Sequence, residues 1–428
     1  MTLTLTPSAR VNFPTIQHLA NGLTIVAEQV PVEAVNMNVW FKVGSAYESD
    51  AINGMAHFLE HMIFKGTNKL ECGEFERQIE ARGAITNAAT SQDYTQYYIT
   101  TAPGDFAQLA PLQLDVVFNA GIPDLAFEKE RLVVLEEIRR SEDSPQRRTF
   151  ARAMETCFNS LPYRRPILGP LEVIEALTPQ QMRDFHSYWY KPQHTTISVV
   201  GNLPVEELIN IVSEGVEQTY QSTVDDTLDF LPLSWSNEHP FEEIERREYV
   251  DSSLQQARLV MMWRVPGLSD VDDTYPLDII AAILGQGKVA RLFRDLREER
   301  GLVTQISASN LTQYLQGVFY ISARLPVANL EVVEAEIALH IEKLHQELIT
   351  ETEIARIRTQ VANKFIFGNE KPSDRALLYG YYQSLLASVE PAINYPHQIQ
   401  SINPVQLQSA AQKYLNPEAY GVVVIKPA

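Results

Sequence analysis

Two stretches decide the fold: ALTPQQMRDFHSYWYKPQHTTISVVGN, Ala176–Asn202, and SINPVQLQSAAQKYLNPEAYGVVVIKP, Ser401–Pro427. Aligned without a gap, they hold Pro179 and Pro404, Pro192 and Pro417, and Val199 and Val424 each 225 residues apart. Thr178 and Asn403 stand where a helix N-cap belongs, each followed by proline at the first helical position. A turn then leads into a β-branched run that reads as a strand. Two copies of so large a unit indicate a duplicated domain rather than a short-period solenoid.

The rest of the chain divides around that repeat. The first half opens with the alternating strand patterns GLTIVAEQV and NMNVWFKVG, continues through helices, and returns to a strand at TQYYITTAP. The second opens with the strand SLQQARLVMMWRV and the helix YPLDIIAAILGQG. It continues through a strand pair in TQISASNLTQYLQGVFYISARL to long helical stretches between Leu330 and Leu386. Between them, residues 220–243 are polar, hold two prolines and lack a helical period, as a linker does. The expected domains are therefore 1–219 and 244–428. Strands and helices interleave without strict βαβ alternation, which favours an α+β fold.

Of the 428 residues, 45% are hydrophobic and 21% charged, values of a globular chain with a sizeable core. A formal net charge of −19 argues against nucleic acid, which demands a basic footprint. Two cysteines, Cys72 and Cys157, exclude a disulfide framework and favour a reducing compartment. The start of the sequence has no basic region followed by an apolar one, and no run approaches the length of a membrane span. The expected location is the cytoplasm, with no membrane partner.

Chemistry concentrates in NGMAHFLEHMIFKGT, Asn53–Thr67. His57 and His61, at i and i+4 on a helix, share one face and can share one metal ion. Imidazole nitrogen suits zinc. Glu60 lies near the same face, placed to serve a metal-activated water as a proton acceptor. An apolar helix does not bury three titratable groups unless they are paired or bound to a metal. A catalytic zinc needs a further protein ligand. The candidates lie in FEKERLVVLEEIRRSED, where Glu130 and Glu137 are seven apart on one helical face; Glu136 competes with Glu137, and periodicity alone does not choose.

H-x-x-E-H is the inverted zinc signature of the inverzincins. On these residues the chain resembles, over nearly its whole length, the pitrilysin/insulysin metallopeptidases, in the short bacterial branch similar to the mitochondrial processing peptidase beta subunit. The resemblance implies that a glutamate 76 residues after the second histidine, here Glu137, completes the zinc site, and that Glu130 supports it. GAITNAATSQDYTQYY resembles the family's edge strand, on which Asn87, Ala88 and Thr90 bind substrate by β-augmentation. LPYRRPILGP also matches. The implied architecture is two homologous α+β domains of about 200 residues each, mixed or antiparallel sheets packed with helices, forming a clam-like half of a peptidase chamber that two chains complete. The implied activity is a zinc endopeptidase acting on peptides or unfolded segments, with one Zn2+ per chain, Glu60 as general base and then acid.

One departure stands in the second half. The family commonly carries an arginine and, seven residues later, a tyrosine that contact substrate. Here Arg297 is present and the tyrosine position is Thr304. The resemblance therefore implies the zinc-bearing subunit of a heterodimer whose partner carries the Arg/Tyr pair, the alternative being a homodimer. Two other readings share the fold: a non-catalytic structural subunit, and a chamber that binds unfolded peptides without cutting them.

Overall fold

A computed structural model describes residues 13–220 and 235–428. Most of the linker expected at 220–243 falls on residues 221–234, outside the described residues.

The repeat folds the same way twice. The helices Pro179–Trp189 and Pro404–Tyr414 open on Thr178 and Asn403. Thr178 Oγ1 accepts from Gln181 N at 3.2 Å while Gln181 Oε1 accepts from Thr178 N at 2.9 Å. Asn403 Oδ1 and Gln406 Oε1 make the same reciprocal pair, at 3.0 and 2.9 Å. Two N–H groups that a helix start leaves unbonded are thus satisfied in each copy, worth about 1 kcal/mol per cap.

The first sheet contains β1 (Thr15–His18), β2 (Thr24–Gln29), β3 (Val35–Phe41), β4 (Ile85–Thr90), β5 (Thr95–Thr101) and β6 (Thr195–Gly201), in the order β1-β2-β6-β3-β5-β4. The second contains β7 (Glu245–Val250), β8 (Ala257–Pro266), β9 (Gln305–Leu311), β10 (Gln316–Leu325) and β11 (Gly421–Lys426), in the order β7-β11-β8-β10-β9. In each, the repeat strand is interior. It lies parallel to the strand on one side (β2 or β7) and antiparallel to that on the other (β3 or β8). Every residue of β3 and β6 is buried, including the polar Asn36, Asn38, Thr195, Thr196 and Ser198.

The chain forms two compact units: residues 13–135, 167–220 and 363–394, and residues 136–166, 235–362 and 395–428. These are not the same sets as the sequence halves 1–219 and 244–428, because each unit takes a helical segment from the other half. In the first unit the helix Pro372–Leu386 lies on β3 and β6. Gly380 makes that approach possible: a Cβ there would sit 1.9 Å from Trp40 Nε1. Arg375 and the Tyr379 hydroxyl, 2.9 Å away, both bond the buried Glu28 carboxylate. In the second unit the helix Pro145–Cys157 lies on β8 and β11, with Arg148 bonded to Asp251. Among the described residues, no helix is long and apolar enough to cross a membrane.

β4 is the outermost strand of the first sheet. Ser91 N donates to Tyr94 O at 2.8 Å, so the antiparallel alternation makes Thr90–Thr95 and Ala88–Tyr97 the non-hydrogen-bonded pairs. The main-chain N–H and C=O of Ala88 and Thr90 therefore face the open edge.

Candidate active site

The helix Met55–Ile63 is apolar on nearly every side because it is embedded on nearly every side: Met55, Ala56, Phe58, Leu59, Met62 and Ile63 are fully buried. Its start is held by a residue that no local spacing singles out. The buried Glu48 carboxylate accepts from Gly54 N at 2.8 Å, Ala56 N at 2.7 Å and Asn53 Nδ2 at 2.9 Å. It satisfies helix N–H groups and places negative charge at the positive end of the helix dipole. Gly54 itself sits at φ +99°, and a Cβ there would meet Leu168 O at 2.6 Å. Gly169, the glycine of the LPYRRPILGP motif, would in turn drive a Cβ to 2.2 Å from Asn53 O. The motif is thus the loop that closes onto the start of the histidine helix.

Within this helix the His57 and His61 rings lie with centroids 4.9 Å apart. Burial, and secondarily the neighbouring His61, pushes the His57 pKa down to about 3, so its imidazole is neutral and offers a lone pair. His61 Nδ1 meets Glu130 Oε1 at 3.0 Å, and Lys65 Nζ meets Glu130 Oε2 at 2.7 Å. Burial alone would raise the Glu130 pKa, but the bonds from Lys65 and His61 outweigh it and hold the carboxyl below its usual range. An ionised Glu130 makes His61 Nδ1 the protonated nitrogen and turns the lone pair onto Nε2.

Glu130 and Glu137 both come from the helix Asp124–Asp143, which is continuous through Leu135, where the first unit ends. Phe127 on this helix stacks on Phe58 at 4.5 Å, fixing the two helices against each other. One donor atom each from His57, His61 and Glu137 lies within 4.8 Å of the others, the one such group among the described residues. Glu136 turns elsewhere, 3.1 Å from Arg140. Of the two glutamates, Glu137 is the one that lies with the histidines. Two imidazole nitrogens and one carboxylate oxygen match the donor set of a catalytic zinc site, so the residues fit the metal. Leu132 and Val133, which lie in the same apolar-looking run, are exposed.

Glu60 follows the same helix, and its Oε2 accepts from Thr90 Oγ1 at 2.5 Å. Asn87 and Ala88 lie on the same edge strand, with Asn87 Oδ1 2.9 Å from Ala88 N. Arg297 belongs to the second unit, on the helical turn Phe293–Glu299, its guanidinium 4.6 Å from the Phe293 ring centre. Thr304, in the tyrosine position, donates to Gln256 Oε1 at 2.8 Å and Arg324 O at 3.1 Å. Two contributors escaped the sequence reading. Lys65, one turn beyond His61, carried a signal in its spacing; Glu48 carried none.

Residues 24–171 match the family model described as insulinase (peptidase family M16), and residues 176–361 match that described as peptidase M16 inactive domain. The chain belongs to the M16 peptidase family, of pitrilysin/insulinase type. It is 28% identical over 416 residues to the zinc protease PqqE of Helicobacter pylori, covering 96% of this chain and 92% of that one. With an uncharacterized zinc protease of Rickettsia bellii it shares 27% over 413 residues, 94% and 97% of the two chains. The crystal structure of a protease from Helicobacter pylori superposes with a TM-score of 0.90 at 26% identity, over 97% of this chain and 99% of that one. A structure described as a peptidase M16 inactive domain, from Pseudomonas fluorescens, shares the fold at a TM-score of 0.82 and 19% identity, over 97% and 98% of the chains.

Proposed function

We propose that this chain is a zinc-dependent endopeptidase acting on peptides or unfolded segments. The observation that carries the reading is the convergence of Glu137 with His57 and His61, whose helix also presents Glu60, with donor atoms within 4.8 Å of one another. Zinc held by that set would supply Lewis acidity, polarising a carbonyl and making water nucleophilic near neutral pH. Glu60 takes the proton of the attacking water on its carboxylate and delivers it to the leaving amine nitrogen. Glu130 orients His61 and holds the proton on Nδ1. The outward main chain of Ala88 and Thr90 receives an extended peptide as an added strand, which demands little of its sequence.

Thr304, engaged with Gln256 and Arg324, has no phenol to offer substrate, so the reading extends to a heterodimer in which a homologous chain supplies the Arg/Tyr pair beside Arg297. Cys72 and Cys157 are both free thiols, in keeping with the cytoplasm as the compartment. The test is Glu60→Gln, with zinc measured by elemental analysis and cleavage by mass spectrometry of peptides. The expected result is retained zinc and almost no turnover; near-normal turnover would overturn the role of Glu60. Full-rate cleavage by the purified chain, unchanged by a partner, would overturn the heterodimer.

A further inference from the structure

Thr90 does two things at once. Its main chain faces the open edge of the first sheet, and its hydroxyl donates to Glu60 Oε2 at 2.5 Å. We propose that Thr90 is a positioning residue that fixes the Glu60 carboxylate from the end of the edge strand, so that the strand receiving the peptide also aims the base. This rests on the endopeptidase reading above and adds to it a residue that acts through Glu60.

The duplication shows that the contact is a property of the fold. Val199 and Val424 are equivalent in the repeat and pair with Met37 and Leu259. Four residues on, Phe41 pairs with Thr95 and Trp263 with Phe319. Those partners face Thr90 on β4 and Asn310 on β9. Thr90 and Asn310 are therefore the same position in the two units. Asn310 Nδ2 donates to Asp278 Oδ1 at 2.8 Å, and Asp278 lies on the helix Val271–Gly285. Both units thus tie an acid on a helix to a polar side chain on the outermost strand. In the second unit the residues three before and one after the acid are Tyr275 and Ile279, where the first has His57 and His61. The second acid has no metal ligands beside it and is held by Asn310 and by the Tyr395 hydroxyl at 3.2 Å; in the first unit the contact from the strand holds a carboxylate adjacent to the ligand His61.

The hydroxyl fits the task because it is short and stiff. A β-branched residue in a strand has restricted χ1, so the donor stays where the backbone puts it. A hydrogen bond to a carboxylate is also among the stronger ones.

Thr90→Val removes the donor at nearly constant volume, and Thr90→Ser restores it. The expected result for Thr90→Val is unchanged zinc content, a KM within about twofold of wild type and a kcat lower by about 10- to 100-fold, the span of a charged hydrogen bond. Thr90→Ser should recover most of that loss. The readout independent of turnover is a crystal structure of the metal-free Thr90→Val protein, in which Glu60 should leave the end of β4. An unchanged kcat, a loss confined to KM, no rescue by serine, or Glu60 unmoved would each overturn the proposal. Glu60→Gln keeps the two readings apart. If that variant is inactive while Thr90→Val is normal, only the positioning role fails; if it is active, the base itself is wrong.

Discussion

Lys65 and His61 grip the same carboxylate from opposite oxygens: Glu130 Oε2 lies 2.7 Å from Lys65 Nζ, and Glu130 Oε1 lies 3.0 Å from His61 Nδ1. The lysine thus keeps charged the group that orients the imidazole. Glu130→Gln should leave the fold intact and weaken zinc binding by about 10- to 100-fold, the usual effect of losing a ligand's outer partner. Lys65→Met should act in the same direction and less strongly. Competition with a chelator of known affinity measures both.

Glu136 and Glu137 are neighbours with different assignments. Glu137→Gln should reduce bound zinc well below one per chain, whereas Glu136→Gln, which removes only exposed pairs with Arg140 and Arg139, should leave it at one and shift stability by less than about 0.5 kcal/mol. Zinc content of the two purified variants separates them. Equal zinc in both would mean that the downstream ligand lies elsewhere.

Glu48 has no role in the chemistry, yet the histidine helix begins on it. Glu48→Ala strands two buried helix N–H groups and the Asn53 amide, at a cost of about 3 kcal/mol or more. We expect a clear drop in melting temperature together with weaker zinc binding, because the same helix presents His57 and His61. A stability loss with unchanged zinc affinity would show that the helix start and the histidines are uncoupled.

Asp278 gives stability a pH dependence. Burial lifts its pKa from the ordinary 3.8 to about 6, against the bonds from Asn310 and Tyr395. The folded chain then holds this proton more tightly than the unfolded chain. The stability the group contributes is present below about pH 4, declines as pH rises from about 4 to about 6, and is gone above. Asp278→Asn should therefore raise the melting temperature at pH 7.5, by the equivalent of about 1–3 kcal/mol, and change little at pH 4. Thermal scans of both proteins across that range check the sign.

Much of this protein was legible in order along the chain. The 225-residue repeat announced the duplication, and its caps, turns and strands recur in both sheets at equivalent places. The i, i+4 histidines and the intervening glutamate were legible because a helix has one period, and three polar groups in an apolar helix need a reason to be there. Spacing left Glu136 and Glu137 level. A helix that is mixed in character around its whole surface does not declare which face is inside.

What the sequence determined by itself is whatever depends on neighbours within a few residues: helix starts, strand alternation, and the pairing of His57 with His61 on one face. Only the tertiary structure decided what depends on distant segments meeting. It set Glu137 beside His57 and His61 and Lys65 against Glu130, and brought Glu48 to the start of the histidine helix and Thr90 to Glu60. It also gave each sheet a helix from the other half of the chain. Local geometry is fixed by steric and hydrogen-bonding rules that act over one or two turns. Convergence of remote groups is fixed by how whole faces bury, and no spacing along the chain encodes that directly.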